Sequence, residues 1–303
     1  MSGHSHSPSH GVSAAGRHRW RLAVTFGLTG TFFVVELVAG LLSRSLALIS
    51  DAGHMAADVV TLGAALVATR LATMPDATGR RTYGRYRAEV FASGLAVLLM
   101  LGVALFVGIE AVHRFGEGVE PASGVMLLVG LVGLAINAVG ILLLRGGATE
   151  SLNVKGAYLE VLADAVGSIG VIVAGFLVLA TGQPLWDTVI ALAIALFVAV
   201  RALLLGREVL SVLAQDAPAG VEPEEILCAL GEVEDVVDVH DLHVWQLTSG
   251  MDVATAHLVT AHDTANAAVL TSAGAVLRER FNIEHATLQV EPADGGACHG
   301  TNW

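Results

Sequence analysis

Charge is scarce in this 303-residue chain: 15% of its residues are Asp, Glu, Lys or Arg, against 54% that are hydrophobic. That balance, with the apolar residues clustered into runs, excludes an ordinary soluble domain of this length. Cysteine is nearly missing. Cys228 and Cys298 form no disulfide framework and suit a reducing compartment. Basic clusters are missing from the C-terminal third, where 16 acidic residues face three arginines between Arg207 and Trp303. Nucleic acid is therefore excluded as a partner of that part. No small-residue cleavage signature follows the first apolar run, which is also too long for a signal-peptide core; the run is expected to be a retained span. Nothing resembling HExxH occurs and no nucleophile sits beside the acidic residues of the spans, so an intramembrane hydrolase ranks far below the other readings, and no enzyme is expected.

What is present divides in two. The whole chain carries a net −12 and the part from Arg207 onward −13, so the first 206 residues sum to +1. An apolar, nearly neutral portion is followed by an acidic one. Residues 1–19 are polar, rich in Ser, Gly and His, and expected to be disordered, with His4, His6 and His10 able to collect metal loosely. Six hydrophobic stretches follow, near 21–42, 46–70, 88–112, 124–144, 156–180 and 185–206, each close to the ~20 residues that cross a bilayer. Arg17, Arg19 and Arg21, then Arg70, Arg80, Arg81, Arg85 and Arg87, then Arg145 and Lys155, and finally Arg201 and Arg207 alternate with only Arg44 and Arg114 on the other side. Positive residues favour the cytoplasm, which predicts a multi-pass protein of the cell (inner) membrane with both termini cytoplasmic.

The second stretch, LALISDAGHMAADVVTLGAALVATR, carries Asp51, His54 and Asp58. An Asp at membrane depth costs at least about 2.5–3.5 kcal/mol, so such residues mark ion or proton pathways. His54 and Asp58 are one helical turn apart on one face, separated by roughly 6 Å of rise. The fifth stretch repeats the spacing with Glu160 and Asp164, and HMAADVV and EVLADAV are alike around the second acid. Six spans divide into two halves of three that insert in opposite senses, so spans two and five run antiparallel and bring the two pairs together. One imidazole and three carboxylates suit tetrahedral Zn2+, and also cobalt, manganese or iron. Metal would displace protons from those carboxylates, linking the two. The competing reading, in which each polar group only stabilises helix packing, fits a lone residue better than two matched pairs. Asp51 is left outside the ligand set, and Glu36 and Asn137 are either supporting partners or helix-interface bonds.

Beyond Arg207 the pattern reads helix, strand, strand, helix, strand, which suits a small α+β domain with its helices on one face of an open sheet. His240, His243, His257 and His285 lie on or beside the strands, and Glu291 ends the last one. On a regular strand His240 and His243 face opposite sides, so they do not share an ion. Cys298 and His299 add a soft donor pair in the Gly-rich tail.

The stretches ELVAGLLSRSLALISDAGHMAADVV, RTYGRYRAEVFASG, NAVGILLL, LADAVGSIGVI, VHDLHVWQLTSGMDVATAHLV and IEHATLQVEP together resemble the cation diffusion facilitator family. The resemblance covers nearly the whole chain. It implies a homodimer exchanging cytoplasmic metal for external protons, with an all-α six-helix transmembrane domain followed by an α+β ferredoxin-like cytosolic domain that binds metal and helps dimerise. Carried over by position, the transport site is His54, Asp58, Glu160 and Asp164. The cytosolic site draws on His240, His257 and either His285 or Glu291, with Glu284 a further option. This chain departs from zinc-transporting relatives in having Glu160 where they commonly have His, which makes the site harder. The loop after the second span has Asp76 but no histidine, and the His-rich loop of many relatives between spans four and five is absent.

The expected organisation is a tail at 1–19, a transport domain at 20–207, a metal-binding and dimerisation domain at 208–293 and a flexible tail at 294–303. The expected function is proton-coupled efflux of a divalent transition metal, zinc first, with cobalt, cadmium, iron or manganese as alternatives. A membrane-embedded metal sensor without transport is the second reading; it predicts saturable binding and no counter-flux.

Overall fold

The computed structural model describes residues 14–72, 80, 82–114, 119–146, 152–248, 250–261 and 266–293. His4, His6, His10, Asp76, Cys298 and His299 lie outside the described residues. Six long helices come first: α1 (Ala14–Ser43), α2 (Leu46–Ala72), α3 (Ala88–Arg114), α4 (Ser123–Leu144), α5 (Leu152–Thr181) and α6 (Leu185–Ala214). Among the described residues, five segments are long and apolar enough to cross a bilayer: Ala23–Ser43, Ala88–Arg114, Ser123–Leu144, Ala157–Thr181 and Leu185–Ala214.

The chain forms two compact units, Met1–Gly63 with Leu95–Leu204, and Ala64–Gly94 with Leu205–Trp303. In the first, large apolar side chains point outward (Leu42, Leu98, Leu105, Phe106, Leu128 and Phe176 among them), while Glu36, Asp51, His54, Asn137, Asp164 and Asp187 are buried. A water-soluble protein does the reverse. An apolar exterior around a polar interior is what a lipid solvent selects.

Small residues let these helices approach closely. A buried stripe of Met126, Val129, Gly130, Gly133, Asn137, Gly140 and Leu144 runs down α4. A Cβ added at Gly130 would lie 2.8 Å from Ile172 of α5, and one at Gly140 2.9 Å from Val161. Within this seam Asn137 Nδ2 donates to Ser168 Oγ at 3.3 Å, so Asn137 serves the α4–α5 interface.

Helix α6 continues eight residues beyond the expected end of the sixth span at 206, stopping where Gln215 turns to φ 63° shortly before Pro218. After Gly206 the sequence REVLSVLA contains neither Gly nor Pro, so the helix has no reason to stop at Arg207. Arg201 is therefore well inside α6 rather than at its end.

In the second unit come α7 (Pro223–Gly231), β1 (Val236–Thr248), β2 (Met251–Thr260), α8 (Asn266–Phe281) and β3 (His285–Pro292). The sheet order is β1-β2-β3, with β1 antiparallel to β2 and β3 parallel to it. Alternate residues Ala254, Ala256 and Leu258 of β2 pack with Ile226 and Leu230 of α7 and Val269, Ala273 and Leu277 of α8. Both helices thus cover one face. The other face carries His240, Thr255, His257, Gln289 and Glu291 and remains part-exposed.

One expectation fails here. His240 pairs with His257 and His243 with Thr255, so three steps along β1 match two along β2. The extra residue is a β-bulge, with Asp241 at φ 54°. It cancels the odd spacing and returns His243 to the same face as His240. Asp241 accordingly lies 3.3 Å from His243 and 3.9 Å from His257.

Candidate metal centres

Helix α2 begins at a built cap. Ser45 Oγ accepts from the amide of Leu48, three residues on, as an N-cap serine does. Asp187, at the start of α6 and buried, accepts from the amides of Leu46 and Ala47 and from Ser45 Oγ. A carboxylate at the positive end of the helix dipole is favourably placed. Gly53 permits α2 to meet α3, since a Cβ there would run into Val103. These contacts fix the rotation of α2, and with it the direction of His54.

His54 Nε2 lies 3.7 Å from Asp58 Oδ2 on the next turn and 3.6 Å from Asp164 Oδ1 on α5. The donor atoms of His54, Asp58 and Asp164 all fall within 4.8 Å of one another. His54 and Asp164 are buried and Asp58 is partly exposed. Asp58 Oδ2 and Asp164 Oδ1 have no hydrogen-bond partner. Buried acceptors rarely go unpartnered, and a cation is one of the few things that resolves two of them together. Ligands held at ~2.0–2.2 Å from a tetrahedral zinc lie roughly 3.4 Å apart, close to the separations seen here.

Glu160 does not join this group. Its two carboxylate oxygens accept from Nη2 of Arg201 at 2.7 and 2.6 Å, and its side chain is 43% exposed. Arg201 Nη1 also reaches His54 Nε2, at 2.8 Å. Sequence reasoning treated Arg201 only as a charge marking the cytoplasmic side. The signal that could have singled it out was the same one used for the acids, an ionisable residue within an apolar run. Asp51 is buried against the α5 backbone, where a Cβ at Gly167 would collide with its carboxylate, and Glu36 is wholly buried on α1.

The sheet holds a second group. His240 and His257 face each other across β1 and β2 with ring centroids 5.1 Å apart. On β3 Glu291 stands opposite Val259, one same-face step from His257. Its carboxylate reaches His240 Nε2 at 3.4 Å and His257 Nδ1 at 2.9 Å. Donor atoms of the three lie within 4.8 Å of one another. His285 belongs elsewhere: it opens β3 opposite Val253, and its ring meets Tyr83 at 5.8 Å. Glu284 is exposed and precedes the strand. Gln289, directly opposite His257, donates to Glu291 at 2.8 Å and steadies its carboxylate. The sequence reading did not include Gln289.

Two kinds of comparison bear on these sites. A model of the cation efflux transmembrane domain matches residues 22–214, and one of the cation efflux protein cytoplasmic domain matches residues 218–293. The metal cation efflux system protein CzcD of Cupriavidus metallidurans is 40% identical over 294 residues, covering 96% of this chain and 90% of that protein. The zinc transporter ZitB of Escherichia coli is 34% identical over 304 residues, with 98% and 95% covered. A cadmium, cobalt and zinc/H(+)-K(+) antiporter of Bacillus velezensis is 32% identical over 299 residues, with 96% and 92% covered. With both family models matched in order and relatives aligned nearly end to end, the chain belongs to the cation diffusion facilitator family of metal cation efflux transporters.

Proposed function

We propose that this protein exports a divalent transition metal, zinc first, from the cytoplasm in exchange for protons. The observation that carries the reading is the cluster of His54, Asp58 and Asp164, one nitrogen and two carboxylates converging in a polar interior wrapped by apolar helices. Anionic oxygens sequestered from water require a positive partner, and a divalent cation and protons are alternative partners for the same atoms. Glu160 is the fourth donor of the transport site. Helix α2 is the sixth span, and the N-terminus and the sheet domain face the cytoplasm. We assign residues 20–207 to transport and 208–293 to a ferredoxin-like domain that binds metal through His240, His257 and Glu291 and pairs two copies into a homodimer. The inner membrane is the compatible location. Exchange proceeds by rocking between inward-open and outward-open states, which differ in whether the metal or the protons are favoured.

Everted membrane vesicles loaded with a pH-sensitive dye test the reading. Zinc addition should drive proton movement with the wild type, and Asp58→Ala and Asp164→Ala should abolish it. Undiminished flux in either variant would remove these carboxylates from the mechanism. Saturable zinc binding with no counter-flux in the wild type would instead favour a sensor.

A further inference from the structure

We propose that Arg201 is a tethered competitor for the transport site: its guanidinium and the divalent cation take turns at His54, and Arg201 withholds Glu160 while it is in place. The inference rests on the transport reading above and deepens it.

A guanidinium only donates, so the 2.8 Å contact to His54 Nε2 uses that nitrogen's lone pair. A metal on the same nitrogen needs the same lone pair. His54 Nε2 is also the atom that lies 3.6 Å from Asp164 and 3.7 Å from Asp58, so the cluster and the Arg201 contact share one vertex. The contact to Arg201 and coordination of a cation at that vertex therefore exclude each other.

Glu160 is held in the same grip. Both its oxygens bond to Nη2 at 2.6–2.7 Å, a charge-assisted pairing of the strong class. One side chain on α6 thus bridges α2, through His54, and α5, through Glu160. Arg suits the task where Lys does not, because a planar fork reaches two acceptors on different helices at once. Arg201 always carries its positive charge, so it is a stand-in for the metal that consumes no proton.

Two consequences have the same sign. Removing Arg201 frees the imidazole lone pair and Glu160 for the metal, and it also removes a positive charge that repels a divalent cation. Metal should then bind more tightly. Release should suffer, because nothing displaces the ion from its ligands. A transporter needs both steps, and Arg201 trades affinity for turnover.

The test uses the full-length protein and zinc alone. Zinc flux in everted vesicles should show, for Arg201→Met, a KM lowered roughly tenfold together with a lower maximal rate, the size expected for losing one charged hydrogen-bonded competitor. Arg201→Lys, which keeps the charge but not the fork, should fall between wild type and Arg201→Met. Zinc titration of the detergent-purified variants, each carrying His257→Ala to remove the sheet-domain group, should reproduce the tightening at equilibrium. A purely structural role for Arg201 would raise KM or leave it alone, and either result overturns the proposal. If Arg201→Met does not fold, a KM for Arg201→Lys at or above that of the wild type overturns it equally. If the wild type shows no flux at all, the transport reading falls, while the titration still decides whether Arg201 competes with zinc.

Discussion

The carboxylate of Asp187 accepts the backbone amide of Leu46 at 2.7 Å, so the first residue of α6 to be fully buried holds the first residue of α2. Arg114 of α3 lies 3.7 Å from the same carboxylate and donates to the carbonyl of Arg44 at 2.6 Å, which ties a third helix to the cap. Asp187→Ala leaves the amides of Leu46 and Ala47 and the Ser45 hydroxyl without their acceptor in a buried setting. The expected loss is roughly 2–4 kcal/mol. Thermal denaturation of the purified protein in detergent, followed by the fraction remaining monodisperse, reads it. A melting curve superimposable on the wild type's would mean that the cap contributes nothing to stability.

Gly167 of α5 faces the buried carboxylate of Asp51 so closely that no Cβ fits between them. Gly167→Ala must displace either the Asp51 carboxylate or α5 itself, and a shift of α5 separates Asp164, one turn earlier, from His54. Overpacking of this kind costs about 1–3 kcal/mol, and zinc flux should fall with it. Gly102 of α3 is the control, since a Cβ there meets nothing within 4 Å. Gly102→Ala should transport as the wild type does. Equal behaviour of the two variants would show that the Asp51–Gly167 approach does not matter.

How much of this was legible beforehand depends on the range over which each signal acts. The pairs His54/Asp58 and Glu160/Asp164 were visible because one helical turn fixes which side chains share a face, and acids stand out in an apolar run. The convergence of His54 with Asp164 also followed from two antiparallel central helices. Arg201 was read only as a charge near the end of the sixth stretch, because hydropathy marks where polarity rises and carries no information on which side chains of other helices it meets, here His54 and Glu160. Glu160 was expected among the ligands; what it bonds to depends on a residue 41 positions away on another helix. In the sheet domain the order of elements was plain from alternation. The bulge at Asp241 was not, since a period of two presumes a regular strand. That single extra residue decides which face His243 occupies.

Asp252 on β2 gives a pH dependence with a definite sign. Burial raises its carboxyl above the usual range, and its Oδ1 has no hydrogen-bond partner. A carboxyl whose pKa is higher folded than unfolded stabilises the fold when protonated, and that contribution disappears as pH rises through the raised value. Asp252→Asn should therefore melt above the wild type at neutral pH, with the difference shrinking toward acid. Melting curves of both proteins from about pH 4, near the unfolded value, to about pH 7 check this. A difference independent of pH would assign the effect to something other than ionisation.

Zinc binding to single variants separates the candidates for the third ligand in the sheet domain. Along β3, His285 and Glu291 share a face but stand six residues apart, roughly 20 Å of strand, so only one can reach the His240–His257 pair. Glu291 does, at 3.4 and 2.9 Å, while His285 contacts Tyr83. The two sites in one chain complicate a zinc titration, so the transport site is first disabled with Asp58→Ala and Asp164→Ala. In that background Glu291→Gln should weaken the remaining zinc binding by about tenfold or more, since a neutral amide replaces an anionic donor. His285→Ala should leave it within about twofold. His257→Ala should abolish it. If His285→Ala weakens binding more than Glu291→Gln does, the metal is drawing on the beginning of β3, and the geometry around Glu291 is that of a hydrogen-bonded carboxylate and no ligand.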